Sequence, residues 1–219
     1  MDAFGDHALV CPCKGDRTVR HNSLRNLLLK EAAAAGTSPE LEKEGLLPTR
    51  PDQDGAPAAD RAESSEDRRR RPADVYLPRG VGGVCREPAA LDWAITSGLR
   101  ADKVEQAIRD PVGILSDYAD FKHVYKDTGA KCQQQGIQFM PLIAEAHGGG
   151  WGAQLREVTA FLASRQRAIG DWCRETTSVR MAQRISTTLQ RESARAILRR
   201  TCSEPPDIEE TDLELAYTD

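Results

Sequence analysis

At 219 residues, with 39% hydrophobic and only 5% aromatic side chains, the chain suits one domain of ordinary size with an aliphatic core, plus tails. The net charge of -4 does not advertise nucleic acid, but residues 203–219 hold seven acids and no Lys or Arg, which leaves 30 basic against 27 acidic residues elsewhere. The body therefore reads as mildly basic and the tail as an acidic, disordered extension. No apolar run is long enough to span a bilayer and no n-region with h-region stands at Met1, so the expectation is a nuclear or otherwise intracellular, non-secreted protein without membrane contact, its cysteines reduced.

Residues 7–21 bring His7, Cys11, Cys13 and His21 close together in sequence, and such soft and borderline ligands suit zinc, which takes four in a tetrahedron. His7 and Cys11 have the spacing of the closing half of a zinc knuckle whose opening cysteines would lie upstream of Met1. Cys13 and His21 could instead complete a local set, and ordinary reduced cysteines are the plain alternative. A helix is predicted from His21 or Asn22 to Ala35, capped by Asn22 or Ser23, striped by Leu24, Leu27 and Leu28, and stopped by Gly36. Residues 40–46 suit a short, charged edge strand. Residues 49–70 form a Pro, Asp, Ala and Ser-rich linker ending in an arginine run through Arg71, too poor in apolar surface to order itself. That run is a localisation signal, a phosphate contact or simply a solvated charge run.

From Ala73 to Leu77 and from Leu91 to Thr96 the pattern is that of a β-hairpin, joined by a glycine-rich turn between Pro78 and Pro88. Asp74 and Tyr76 fall on one face with Ala73, Val75 and Leu77 opposite, while Leu91, Trp93 and Ile95 oppose Asp92, Ala94 and Thr96. Pairing the strands brings Asp74 and Asp92 together. Two carboxylates among apolar neighbours repel and lose hydration unless a cation sits between them. A hard divalent ion, Mg²⁺ or Mn²⁺, is the natural occupant. The bland alternative is that each Asp marks a turn or a solvated strand edge.

Residues 101–136 are helical in character with a break at Pro111, and Gln138 to Ala144 reads as a buried strand whose Pro141 argues for an edge or a bulge. His147-Gly148-Gly149-Gly150-Trp151 then leads into a helix with Leu155, Val158, Leu162 and Ile169 on one side. Such a loop before a helix either receives a phosphate on its amides or is a tight turn that packs Trp151. The last helix, from Thr176 to Arg200, gathers Arg180, Arg184, Arg191, Arg195 and Arg199 within about 100° of arc. Val179, Ala182, Ile185, Leu189 and Ala196 lie opposite, so the expectation is an apolar stripe packed inward and an arginine stripe facing DNA or RNA.

Four blocks, Arg20-His21-Asn22-x-Leu24, Leu41-Glu42-Lys43-Glu44, Arg71-Pro72-Ala73-Asp74-Val75 and Leu91-Asp92-x-Ala94-x-x-Ser97-Gly98, resemble the restriction-like PD-(D/E)xK endonuclease domain at the C-terminus of site-specific non-LTR retrotransposon proteins. There it follows a reverse transcriptase and a zinc knuckle. The likeness covers roughly residues 7–150. It implies an α/β fold, a small mixed β-sheet flanked by helices, followed here by a C-terminal amphipathic helix. The chain then divides into a zinc-knuckle-like segment (1–21), first helix and edge strand (22–48), linker (49–70), catalytic hairpin, helix and strand (71–150), C-terminal helices (151–202) and tail (203–219).

By that resemblance Asp74 and Asp92 hold Mg²⁺ or Mn²⁺, with the Ala94 carbonyl as a further ligand, and the catalytic lysine comes from the following helix: Lys122 first, Lys126 and Lys103 as rivals. Arg20, His21, Arg71 and the arginines of the last helix are the expected nucleic-acid contacts. Two positions depart from the family pattern. Ala73 separates Pro72 from Asp74, and Ala94 stands where a lysine is expected. The implied activity is metal-dependent nicking of DNA. The alternative is a non-catalytic nucleic-acid-binding fragment that uses the zinc segment and the arginine-striped helix.

Overall fold

The computed structural model describes residues 15–47, 72–100, 102–170 and 174–201. The zinc candidates His7, Cys11 and Cys13, Arg71, and the expected linker and tail lie outside those residues. Helix α1 (Asp16–Ala34) leads to β1 (Glu40–Leu41), β2 (Val75–Leu77) and β3 (Ala89–Thr96). Helices α2 (Val104–Arg109), α3 (Gly113–Val124) and α4 (Thr128–Gln134) carry the chain to β4 (Gln138–Glu145), and α5 (Ala153–Ile169) and α6 (Arg174–Thr201) complete it.

The four strands form one mixed sheet in the order β1-β2-β3-β4. β2 pairs antiparallel with β1 and β3, and β4 runs parallel to β3. A parallel neighbour cannot be reached by a tight turn, so α2, α3 and α4 make the crossover. Pro141 lies on the outermost strand, where a residue without an N–H disturbs the ladder least.

Period-two alternation sorts the two faces. Val75, Leu77, Leu91, Trp93, Met140 and Leu142 pack under α1, α5 and α6. On the reverse, Tyr76, Ala90 and Phe139 pack with Cys132 and Ile137, and Ala94 and Ile143 with Ile114, Leu115 and Ala119 of α3. The sheet is therefore covered on both faces. Ala73 precedes the strand and joins the Tyr76 side rather than the Val75 side.

Two boundaries differ from the sequence reading, and two hold. Helix α1 starts at Asp16 behind Gly15, so Asn22 and Ser23 lie inside it, and it crosses the expected division at residue 21. Tertiary packing extends it: buried Asp16 pairs with Arg199 at 2.9 Å, and buried Arg20 donates to Ser193 Oγ at 3.4 Å, both on α6. At its other end Gly36 takes φ 67° and Thr37 N donates to Ala32 O at 3.2 Å, the left-handed closure that glycine permits. The helical stretch after β3 breaks at Pro111 and again at Lys126 and Asp127, both left-handed.

On α5 the last turn presents Gln166 to the core and leaves Ile169 exposed. On α6 the buried set is Thr177, Met181, Ile185, Thr188, Leu189, Glu192, Ser193 and Ala196, while Val179 is exposed. That set is centred between the expected apolar and arginine stripes, so the arginines flank the packed face. Arg184 pairs with Glu31, Arg191 and Arg195 with Glu192, and Arg199 with Asp16. Arg180 Nη2 donates to Gln166 Oε1 at 3.2 Å. The outward stripe is thus corrected to a seam of ion pairs.

Glu31 is the hub of that seam, 3% exposed, receiving Gln166 Nε2 at 2.7 Å as well as Arg184. Glu31→Ala is expected to destabilise the fold by about 3 kcal/mol, toward the lower end for a broken buried pair because Arg184 keeps some solvent. The check is a lower urea midpoint at unchanged m-value.

Candidate functional site

The site arises from a mismatch of strand lengths. β2 begins only at Val75, whereas β3 runs on to Thr96, so the later half of β3 has no strand beside it on the β2 edge. Asp74 fills the first of that gap. Its N–H donates to Leu91 O at 2.9 Å, and Trp93 N–H donates to Asp74 Oδ2 at 2.6 Å. Beyond it lies an open cavity of about 400 Å³ whose lining includes Arg17, Arg20, His21, Asp92, Tyr118 and Lys122. Helix α1 reaches it from one face of the sheet and α3 from the other.

Four charged or titratable side chains converge there. His21 Nε2 lies 3.1 Å from Asp74 Oδ2, and Lys122 Nζ lies 2.6 Å from Asp92 Oδ2. Burial, with Asp74 adding to it, lifts the Asp92 carboxyl above its ordinary range even though Lys122 pulls the other way. For Lys122 burial opposes the charge, but neighbouring Asp92 outweighs it and holds the ammonium above its usual range. Hydrogen bonding to Asp74 raises the His21 imidazole against the opposing effect of burial.

The donor set fits a hard divalent ion. Asp92 Oδ2 is closed to solvent and is held by the Lys122 ammonium at 2.6 Å. Asp74 Oδ2 is committed to Trp93 N–H and His21, which leaves Oδ1 as the oxygen for a ligand. Among the described residues no three His, Cys, Asp or Glu side chains gather as a metal cluster. Mg²⁺ needs only one or two carboxylates because it keeps several waters. The expected Ala94 carbonyl is corrected by strand alternation. Leu91 and Trp93 face β2, so Ala94 turns its carbonyl into the β4 ladder and Trp93 presents its own at the open edge.

The structure separates the remaining candidates. Of the three lysines, Lys122 stands at the aspartates, Lys103 bonds Gln106, and Lys126 lies over the Tyr125 ring. His21 belongs to the aspartate cluster, and Arg20 is buried at the cavity wall. The His147–Trp151 loop is a tight turn: His147 N donates to Glu145 Oε2, Gly148 N to Glu145 O and Gly152 N to Ile143 O, each within 2.9 Å. With those amides engaged and the Glu145 carboxylate beside them, the geometry favours the tight turn over the phosphate loop.

Arg17 and Tyr118 are cavity residues that sequence reasoning missed. Arg17 and His21 are one helical turn apart, a signal legible only once α1 is known to begin at Asp16. Comparison of the sequence with protein-family models and with curated proteins finds no match.

Proposed function

We propose that this chain is a metal-dependent DNA endonuclease domain of the restriction-like type found in non-LTR retrotransposon proteins, nicking target DNA by phosphodiester hydrolysis. The observation that carries the reading is the meeting of Asp74, Asp92 and Lys122, from the residue before β2, the middle of β3 and a crossover helix, at one open sheet edge. The order of helix, short edge strand, two aspartate-bearing strands, lysine-bearing helix and further strand supports it. The scissile phosphate would enter the cavity between α1 and α3.

Asp74 and Asp92 would hold Mg²⁺ or Mn²⁺. Such an ion polarises a phosphoryl oxygen and lowers the pKa of a bound water. Lys122 orients the attacking water and offsets the negative charge that builds on the phosphoryl oxygens as the new P–O bond forms and the ester P–O bond breaks. The proton lost by the water is balanced by the one gained at the leaving oxygen. His21 acts through Asp74, holding Oδ2 so that Oδ1 would be left for the ion. Arg17 at the cavity wall suits phosphate, which positions DNA without specifying sequence.

The deciding experiment is nicking of supercoiled plasmid by the 219-residue chain with Mg²⁺ or Mn²⁺ and with EDTA. Nicking that requires the ion supports the reading. Metal-independent, salt-sensitive binding without cleavage would replace it with the nucleic-acid-binding alternative. His21→Ala is expected to slow nicking 10- to 100-fold, the usual range for a residue that orients a metal ligand. More Mg²⁺ should then be needed for half-maximal rate, and His21→Gln, which keeps a donor, should recover part of the loss.

A further inference from the structure

Helix α3 carries a second feature beside Lys122. Tyr118, at the cavity wall, lies with its ring 5.9 Å from that of Phe121 at an interplanar angle of 7°, and Phe121 lies 5.4 Å from Tyr125. Tyr118, Phe121 and Lys122 fall on one side of α3, and Tyr125, just past its end, continues the row of rings. In a chain with few aromatics, Phe121 and Tyr125 are 49% and 48% exposed.

We infer that Tyr118, Phe121 and Tyr125 form a stacking surface for unpaired bases, so that the site takes DNA with a single-stranded stretch next to the scissile phosphate. This rests on the nuclease reading for the word scissile but not for binding. Every base offers a π-face, and a cationic groove followed by aromatic rings is the usual way to hold a single strand without reading it. Charge complements the rings: Arg17 and Lys122 at the cavity suit the backbone phosphates, while the rings run outward from its mouth. A duplex keeps its base faces stacked internally and cannot use the rings.

The probes are a mixed-sequence 20-nucleotide single strand carrying 2-aminopurine and the corresponding blunt duplex, both bound in EDTA so that cleavage plays no part. Phe121→Ala is expected to weaken single-strand binding about tenfold, to relieve 2-aminopurine quenching, and to leave both duplex affinity and the salt slope unchanged. Phe121→Trp, which keeps a ring, should bind as the parent does. It also guards against a misfolded alanine variant. Equal single-strand affinity for parent and Phe121→Ala overturns the inference, as does a parent that does not bind the single strand. So does a Phe121→Ala effect confined to oligomeric state, which would make this face a protein contact. Loss of binding in Phe121→Ala alongside a parent that never nicks would retain the stacking surface and reject the nuclease. Ion-dependent nicking with unaltered single-strand binding would do the reverse.

Discussion

Asp92→Ala and Asp74→Ala are each expected to abolish plasmid nicking, a fall of at least about a thousandfold, since each removes a carboxylate on which ion and phosphate both depend. The second half of the expectation is what separates catalysis from scaffolding. Asp92 is held in a buried position where desolvation, with Asp74 adding to it, outweighs the pull of Lys122, so the folded state gains little from its charge. Asp92→Asn should therefore lose activity while melting no lower than the parent, the usual trade between function and stability at an active site. Calorimetry beside the nicking assay checks this. If Asp92→Asn instead nicks at the parental rate, or if lost activity simply tracks a collapsed melting temperature, the two carboxylates are structural.

Lys122→Met is expected to slow nicking about 100- to 1,000-fold, the range for removing one positioned charge stabiliser from a site of developing negative charge. Methionine keeps an unbranched apolar stem against the sheet, so the loss reads the ammonium rather than packing. Lys122→Arg should not restore the rate, because a planar fork cannot stand where a compact ammonium sits 2.6 Å from a carboxylate oxygen. The controls are Lys103→Ala and Lys126→Ala, whose ammoniums are engaged elsewhere. Parental rates from both, with a deficit only at residue 122, assign the lysine. A deficit at Lys126 equal to that at Lys122 would remove the assignment.

The hairpin and the reverse strand were legible because their residues alternate. Val75, Leu77, Leu91 and Trp93 go to one face and Tyr76, Ala90 and Ala94 to the other, as period two requires. Pro111 and Gly36 marked real breaks because one fixes φ and the other tolerates φ of 67°. The start of α1 was not legible. Asn22 and Ser23 are sound caps by local chemistry, yet the helix runs past them to Asp16 because α6 offers Arg199 and Ser193 to its first turns.

By itself, then, the sequence determined which stretches could be strands, which faces would be apolar, and that Asp74 and Asp92 would stand on neighbouring arms of one hairpin. All of these follow from interactions within a few residues or across one hairpin. Only the tertiary structure decided that His21 stands at Asp74, that Lys122 rather than Lys103 or Lys126 reaches Asp92, and that the arginines of α6 close on Glu31, Glu192 and Asp16. The reason is physical. A long charged side chain finds its partner across a packed interface between elements far apart in the chain, and helical periodicity fixes where it points but not what will be waiting there.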